Sequence, residues 1–202
     1  MKNTYAAIAG LALAFAAAPA YATDGGELLH DAGVTVGHLR SDPAVSTARA
    51  MLRNARAVYI VPHLVKGGFI FGAEGGEGVL LRRTGKGFGA PRVYGMGSAS
   101  FGLQAGIEKA ELVFIINSEA ALQGIEKGSI KLGAGAGLTV VNLSSGAEGA
   151  TTAHGGDIVV WTSGTGAYAG LTFNGSVIKE DKDEIVPAKD AQALRRTLTG
   201  LL

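Results

Sequence analysis

The stretch VKGGFIFGAEGGEGVLLRR, residues 65 to 83, sets glycines so densely within apolar sequence that it narrows the possible folds more than any other feature. A phosphate-binding loop needs its glycines at set offsets, after a strand and opening a helix whose N-terminal amides meet the phosphate. Gly72, Gly75, Gly76 and Gly78 form neither G-x-x-x-x-G-K-[ST] nor G-x-G-x-x-G, and VLLRR reads as strand. The remaining role is geometric. Such glycines bend strands, form bulges or let backbones approach closely in a strongly curved sheet.

The period-two pattern supports this. In SASFGLQAGIE, residues 98 to 108, the side chains Ala99, Phe101, Leu103, Ala105 and Ile107 share one face and the polar residues and glycines share the other. SIKLGAGAGLTV and AYAGLTFNGSV repeat the pattern, so each reads as a strand. AVYIV (57 to 61), stopped by Pro62, is a β-branched and aromatic run, and ELVFIIN (111 to 117) is continuously apolar, as a strand buried on both faces would be.

Helices frame the strands. Asp42-Pro43 is a helix start, and Val45, Ala48, Met51, Leu52 and Ala55 recur at helical spacing, which predicts a helix from about Pro43 to Asn54. Ser118 caps a second helix running to Glu126 and ended by Gly128. AKDAQALRRTL places Ala191, Leu194, Leu198 and Leu201 on a terminal stripe. The segment ELLHDAGVTVGHLR is ambiguous, since Gly33 and Gly37 weaken a helix while Val34 and Val36 are too few for a strand. The expected fold class is α+β and mainly antiparallel: a Gly-rich, strongly curved sheet or barrel-like core with a few packed helices.

The first 22 residues read as a secretory signal peptide: one Lys, an apolar run from Ala6 to Ala18, and Ala20-Tyr21-Ala22 as an A-x-A cleavage signature. The run is shorter than the ~20 apolar residues of a membrane span. The expectation is a mature chain from Thr23, forming a single domain over 23 to 202 that is periplasmic or secreted and peripheral on a membrane. Without Cys there are no disulfides and no thiolate metal site. The 18 Lys and Arg against 17 Asp and Glu give +1, and loss of Lys2 with the leader brings this to 0, too little field to hold nucleic acid. Anion binding must be local.

A local supply of cations exists. Between Pro43 and Ala73 every charged residue is basic: Arg49, Arg53, Arg56 and Lys66. The three arginines stand at i, i+4 and i+7, so a helix there presents them on one face beside its apolar stripe. Arg82, Arg83, Lys86 and Arg92 extend the set. Such a basic amphipathic helix either lies on an anionic membrane surface or is simply a solvated face packed on the sheet.

Catalytic patterns are scarce. No G-x-S-x-G surrounds any Ser. His30, His38, His63 and His154 lack metal spacing, so neither a metal nor a cofactor is expected. Glu74 and Glu77 fall on opposite sides of a strand unless Gly75-Gly76 forms a bulge, and read as structural. Gly164-Thr165-Gly166-Ala167-Tyr168-Ala169 matches G-x-G-x-x-A, but a strand rather than a helix follows. Trp161, Tyr168 and Phe173 suit either a lipid interface or the core.

Taken in order from about Ala55 to Ile178, the sequence resembles the SYLF-domain family of lipid-binding modules. The resemblance rests on Pro62 followed by Lys66-Gly67-Gly68, on the run from Gly72 to Leu80, on Ser98-Ala99-Ser100-Phe101-Gly102-Leu103-Gln104 and on Gly166-Ala167-Tyr168-Ala169-Gly170. Gly89-Ala90 stands where the family has Trp-Ser before the proline, and KEDKDEIVPAKD replaces its late Tyr-Tyr-Gly. The resemblance implies binding of anionic phospholipid or a membrane surface, with actin-related roles in eukaryotic members. On it rests the expectation of a non-enzymatic lipid-binding module with Arg49, Arg53, Arg56, Lys66, Arg82 and Arg83 as its contacts. An enzyme of unrecognised mechanism and an outer-membrane-associated structural or interaction protein are the alternatives. A membrane β-barrel would need aromatic girdles and strands of ~9–11 residues, whereas this chain is poor in aromatics and interrupts its strands with helices.

Overall fold

The computed structural model describes residues 24–68, 71–85, 87–101, 106–128, 131–132, 140–143, 156–163 and 176–202. The leader, Phe69, Lys86, His154, the Gly164 to Gly170 motif and Phe173 lie outside them, as do residues 102–105 and 133–139. In chain order the elements are α1 (Gly25–Ser41), α2 (Val45–Leu52), β1 (Ala57–Gly68), β2 (Phe71–Thr84), β3 (Gly87–Phe88), β4 (Arg92–Phe101) and β5 (Gly106–Ile116). Then follow α3 (Glu119–Glu126), β6 (Lys131–Leu132), β7 (Val140–Asn142), β8 (Ile158–Thr162), β9 (Ser176–Glu180) and α4 (Ala188–Thr199). One sheet runs β6-β9-β4-β2-β1-β5-β8-β7, with β3 beside β2. Its pairings are antiparallel except β7 with β8. The α+β, mainly antiparallel expectation holds. Of its two forms the curved open sheet is the one observed: among the described residues, β6 and β7 end the order without pairing to each other.

The apolar runs explain the layering. Alternate residues of β1 and β5 point to opposite faces, so a continuous apolar run serves two cores at once. Val58, Ile60, Val113 and Ile115 join the core under α1, α2 and α4, with Leu28, Val36, Leu39, Leu52, Trp161, Leu194 and Leu198. Tyr59, Val61, Leu112, Phe114 and Ile116 join the opposite core, which α3 enters through Ala121, Leu122 and Ile125. The Tyr59 hydroxyl donates to the Tyr94 carbonyl oxygen (2.9 Å), and burial pushes its phenol pKa far up.

Central strand β1 carries a bulge. Its register shifts by one residue against β2 between Ile60 and Val65, and against β5 between Val61 and Leu64. The extra residue belongs to β1, at Pro62-His63. A proline cannot donate to a ladder, and a bulge is where a central strand tolerates one. The shift also turns Lys66 to the α3 face. It crowds β2: a Cβ on Gly76 would lie 2.6 Å from the His63 carbonyl oxygen, and one on Gly78 would strike the Ile60 carbonyl and the Tyr59 ring. These two glycines are required by close approach, as the sequence suggests, and among the described residues positive φ is confined to Gly85 and Gly128. Gly75 has ordinary room. The unbroken β2–β4 register puts Glu74 and Glu77 on opposite faces.

Several boundaries differ from expectation. The ambiguous N-terminal segment is α1, capped by Asp24, whose carboxylate accepts from Gly26 N (2.7 Å). Asp42 accepts from Ala44 N (2.8 Å) as a cap would, but Val45 N closes a tight turn onto the Asp42 carbonyl, so α2 starts at Val45 and ends at Leu52. SASFGLQAGIE is not one strand: it is divided between β4, which pairs with β2, and β5, which pairs with β1. Helix α3 has the expected Ser118 cap, and α4 buries the expected leucines.

Candidate functional site

Helix α4 ends against α1 and α2, and its exposed carbonyls carry the negative end of the helix dipole, which attracts cations. Three arginines meet this helix end and the residues just beyond it. Arg40 Nη2 donates to the Thr197 carbonyl (3.2 Å), Arg49 Nε to that of Leu201 (2.8 Å), and Arg53 Nε to the Leu202 main-chain oxygen (2.9 Å). All three side chains are exposed, as are Arg195 and Arg196 on α4 itself. Each anchored guanidinium keeps further N–H donors beyond the one that holds it. The shared helical face expected for Arg49, Arg53 and Arg56 is not present, because α2 ends at Leu52. Arg53 is its C-cap, and Arg56 lies in the bend before β1, with its main-chain N–H on the Ile116 carbonyl (2.7 Å). Arg40 takes its place in the cluster.

The other expected contacts sit elsewhere. Arg83 closes the C-terminus of α2: Nε donates to the Ala55 carbonyl (3.2 Å), Nη2 to that of Leu52, and the guanidinium lies 4.5 Å from the Phe88 ring centre. Burial lowers its pKa from the ordinary value. Arg82, on the α3 face, pairs with Glu126 (3.2 Å) and Glu119 (3.6 Å). Arg92 bridges Glu126 (2.8 Å) and Glu180 (3.1 Å). Lys66 stands in register with Glu74 on β2 and Glu108 on β5. Burial raises the Glu74 pKa, against the opposing pull of Lys66 and of the Ser98 and Ser176 hydroxyls, which donate to Oε1 at 3.4 and 3.5 Å. The run that is acid-free in sequence is therefore not acid-free in space. The six expected contacts divide between the two faces of the sheet.

A second polar group lies where α1 crosses the bulge. Asp31 Oδ2 is 2.8 Å from His63 Nε2, and His38 Nδ1 is 2.9 Å from both oxygens of Glu111. Thr35 Oγ1 donates to Glu111 Oε1 (3.0 Å), and the Glu111 N–H donates to Ser163 Oγ (3.2 Å). Beside them Pro62, His63, Lys109, Ala110, Glu111 and Ser163 line a cleft of about 250 Å³. Among the described residues no three His, Asp or Glu side chains are grouped to hold a metal ion, and no helix is long and apolar enough to cross a membrane. The sequence signal for this group was Asp31, Thr35 and His38 at helical spacing, hidden by the two glycines of α1.

Fold and surface together define an α+β module with exposed arginines gathered at a helix end. Residues 97–186 match the family profile Ysc84, described as Las17-binding protein actin regulator. This stretch is similar to the Ysc84 (SYLF) family, the family that the motifs resemble. Protein YSC84 of Saccharomyces cerevisiae is 32% identical over 138 residues, covering 66% of this chain and 29% of its own length. LAS seventeen-binding protein 3 of the same organism is 31% identical, covering 66% of this chain and 30% of its own length. SH3 domain-containing YSC84-like protein 1 of Bos taurus is 31% identical over 123 residues, covering 59% and 36%. The matched part of the chain spans about a third of these relatives. No solved structure matches.

Proposed function

We propose that the protein is an exported, non-enzymatic module that binds anionic phospholipid surfaces, with Arg40, Arg49 and Arg53 as its leading contacts. One observation carries the reading: three exposed guanidiniums are anchored on main-chain oxygens of residues 197–202. The Thr197 and Leu201 carbonyls fix Arg40 and Arg49 without cancelling their charge. Among the described residues none of the three arginines pairs with a carboxylate side chain, unlike Arg82 and Arg92. A cation near an anionic membrane contributes about 1 kcal/mol. The SYLF resemblance supplies the lipid, and the A-x-A signature supplies export with a mature start at Thr23.

Co-sedimentation of the protein with anionic and neutral liposomes tests this. Binding should need anionic lipid and weaken with salt as the Debye length shortens. Absence of binding to any vesicle would remove the reading. It would leave in front a second one, drawn from the family description and the names of the yeast relatives: a module that acts by binding another protein.

A further inference from the structure

The cleft at the β1 bulge is separate from the arginine cluster, and its hydrogen-bonding capacity is lopsided. Its carboxylates are already engaged: Glu111 by Thr35 and His38, and Asp31, above it on α1, by His63. Its donors are not. The Lys109 ammonium and the Ser163 hydroxyl hydrogen have no partner among the described residues. Ser163 Oγ accepts from the Glu111 N–H, which orients the hydroxyl without using its proton. Pro62 adds apolar surface to the lining, and Val65, in register with Lys109, is 41% exposed beside it.

A cleft whose acceptors are occupied and whose donors are open selects an acceptor-rich ligand. Its volume, about 250 Å³, lies below the ~300–1,000 Å³ of pockets that enclose drug-sized molecules. We propose that it binds a single small anionic group, a phosphate or phosphomonoester, with Lys109 and Ser163 donating, the His63 ring beside them, and any attached carbon chain lying over Pro62 and Val65. The bulge is what makes this possible. It displaces His63 from the ladder and turns it toward α1, where Asp31 holds the ring at the wall of the cleft.

The test is a titration of the isotopically labelled intact chain, read by amide NMR shifts, with inorganic phosphate in one arm and a soluble short-chain phosphatidate in the other. Saturable shifts at His63, Lys109, Glu111 and Ser163 are expected. Lys109→Gln should weaken them about tenfold, the loss of one charge-assisted hydrogen bond. Arg49→Gln with Arg53→Gln should leave them unchanged. Response to phosphatidate alone assigns the group to a lipid, and response to both assigns it to small phosphates; either supports the site. Shifts absent in both arms, or unaltered by Lys109→Gln, or removed by the double arginine variant, overturn it. The last result would assign the anion to the helix-end cluster, and liposome binding would be untouched by failure of the cleft.

Discussion

The two faces of the sheet hold their arginines in different ways. On the α3 face, Arg82 and Arg92 meet Glu119, Glu126 and Glu180, so the cations are neutralised where they stand. On the helical face, Arg40 and Arg49 meet main-chain carbonyls, which orient a guanidinium without removing its charge. A count of basic residues treats the two sets alike. The partner decides whether a cation is offered to a ligand or consumed by the fold.

The largest effect should come from the strand that both faces share. Gly76→Val drives a side chain into the His63 carbonyl and should cost about 3 kcal/mol in thermal or denaturant unfolding. Gly75→Val meets only an ordinary contact and should cost far less. Similar losses for the two would remove close approach as the reason for Gly76.

Replacing Arg40, Arg49 and Arg53 together by Gln should weaken binding to anionic liposomes by up to about 3 kcal/mol, while the Arg82→Gln, Arg92→Gln double variant binds as wild type. Sedimentation of both at one salt concentration measures the contrast directly, and equal losses would erase the distinction between the faces. Arg83→Ala, which leaves the Leu52 and Ala55 carbonyls without their cap, should lower stability by about 2 kcal/mol and leave liposome binding intact.

A smaller effect is expected at Glu74. Burial raises its pKa in the folded protein, so folding favours the protonated carboxyl. That contribution is complete below the unfolded carboxylate pKa and is lost as pH rises through the folded value. Glu74→Gln should therefore be more stable than wild type at neutral pH and lose its advantage as the solution is acidified. Melting curves across that range would contradict this if the gap stayed constant. The smallest change belongs to the exposed network, where the Arg82→Gln, Arg92→Gln variant should lose less than about 1 kcal/mol of stability.

Legibility followed the range of the interaction. β5 could be read as buried on both faces because Leu112 to Ile116 offers no polar alternative, and α3 because Ser118 and Gly128 mark its ends locally. α1 was hidden by Gly33 and Gly37, whose positions face open space and say nothing of the buried stripe Leu28, Ala32, Val36 and Leu39. Alternation through SASFGLQAGIE continued across a change of strand, so periodicity alone could not mark the break. The cations were visible as residues, but their partners lie far along the chain: Leu201 for Arg49, Glu126 for Arg82 and Arg92. No local pattern carries that information.

The clasp of Arg40, Arg49 and Arg53 on residues 197–202 also sets an order of events. A chain synthesised from its N-terminus makes these arginines 149 to 157 residues before their acceptors. Leu194, Leu198 and Leu201, which complete the core over α1 and α2, arrive with the same final turns. Contacts of such long sequence separation form slowly, because the loop entropy is spent before the contact rewards it. Closure of the helical layer therefore waits until residues 194–202 have been made, however early the rest of its core is in place.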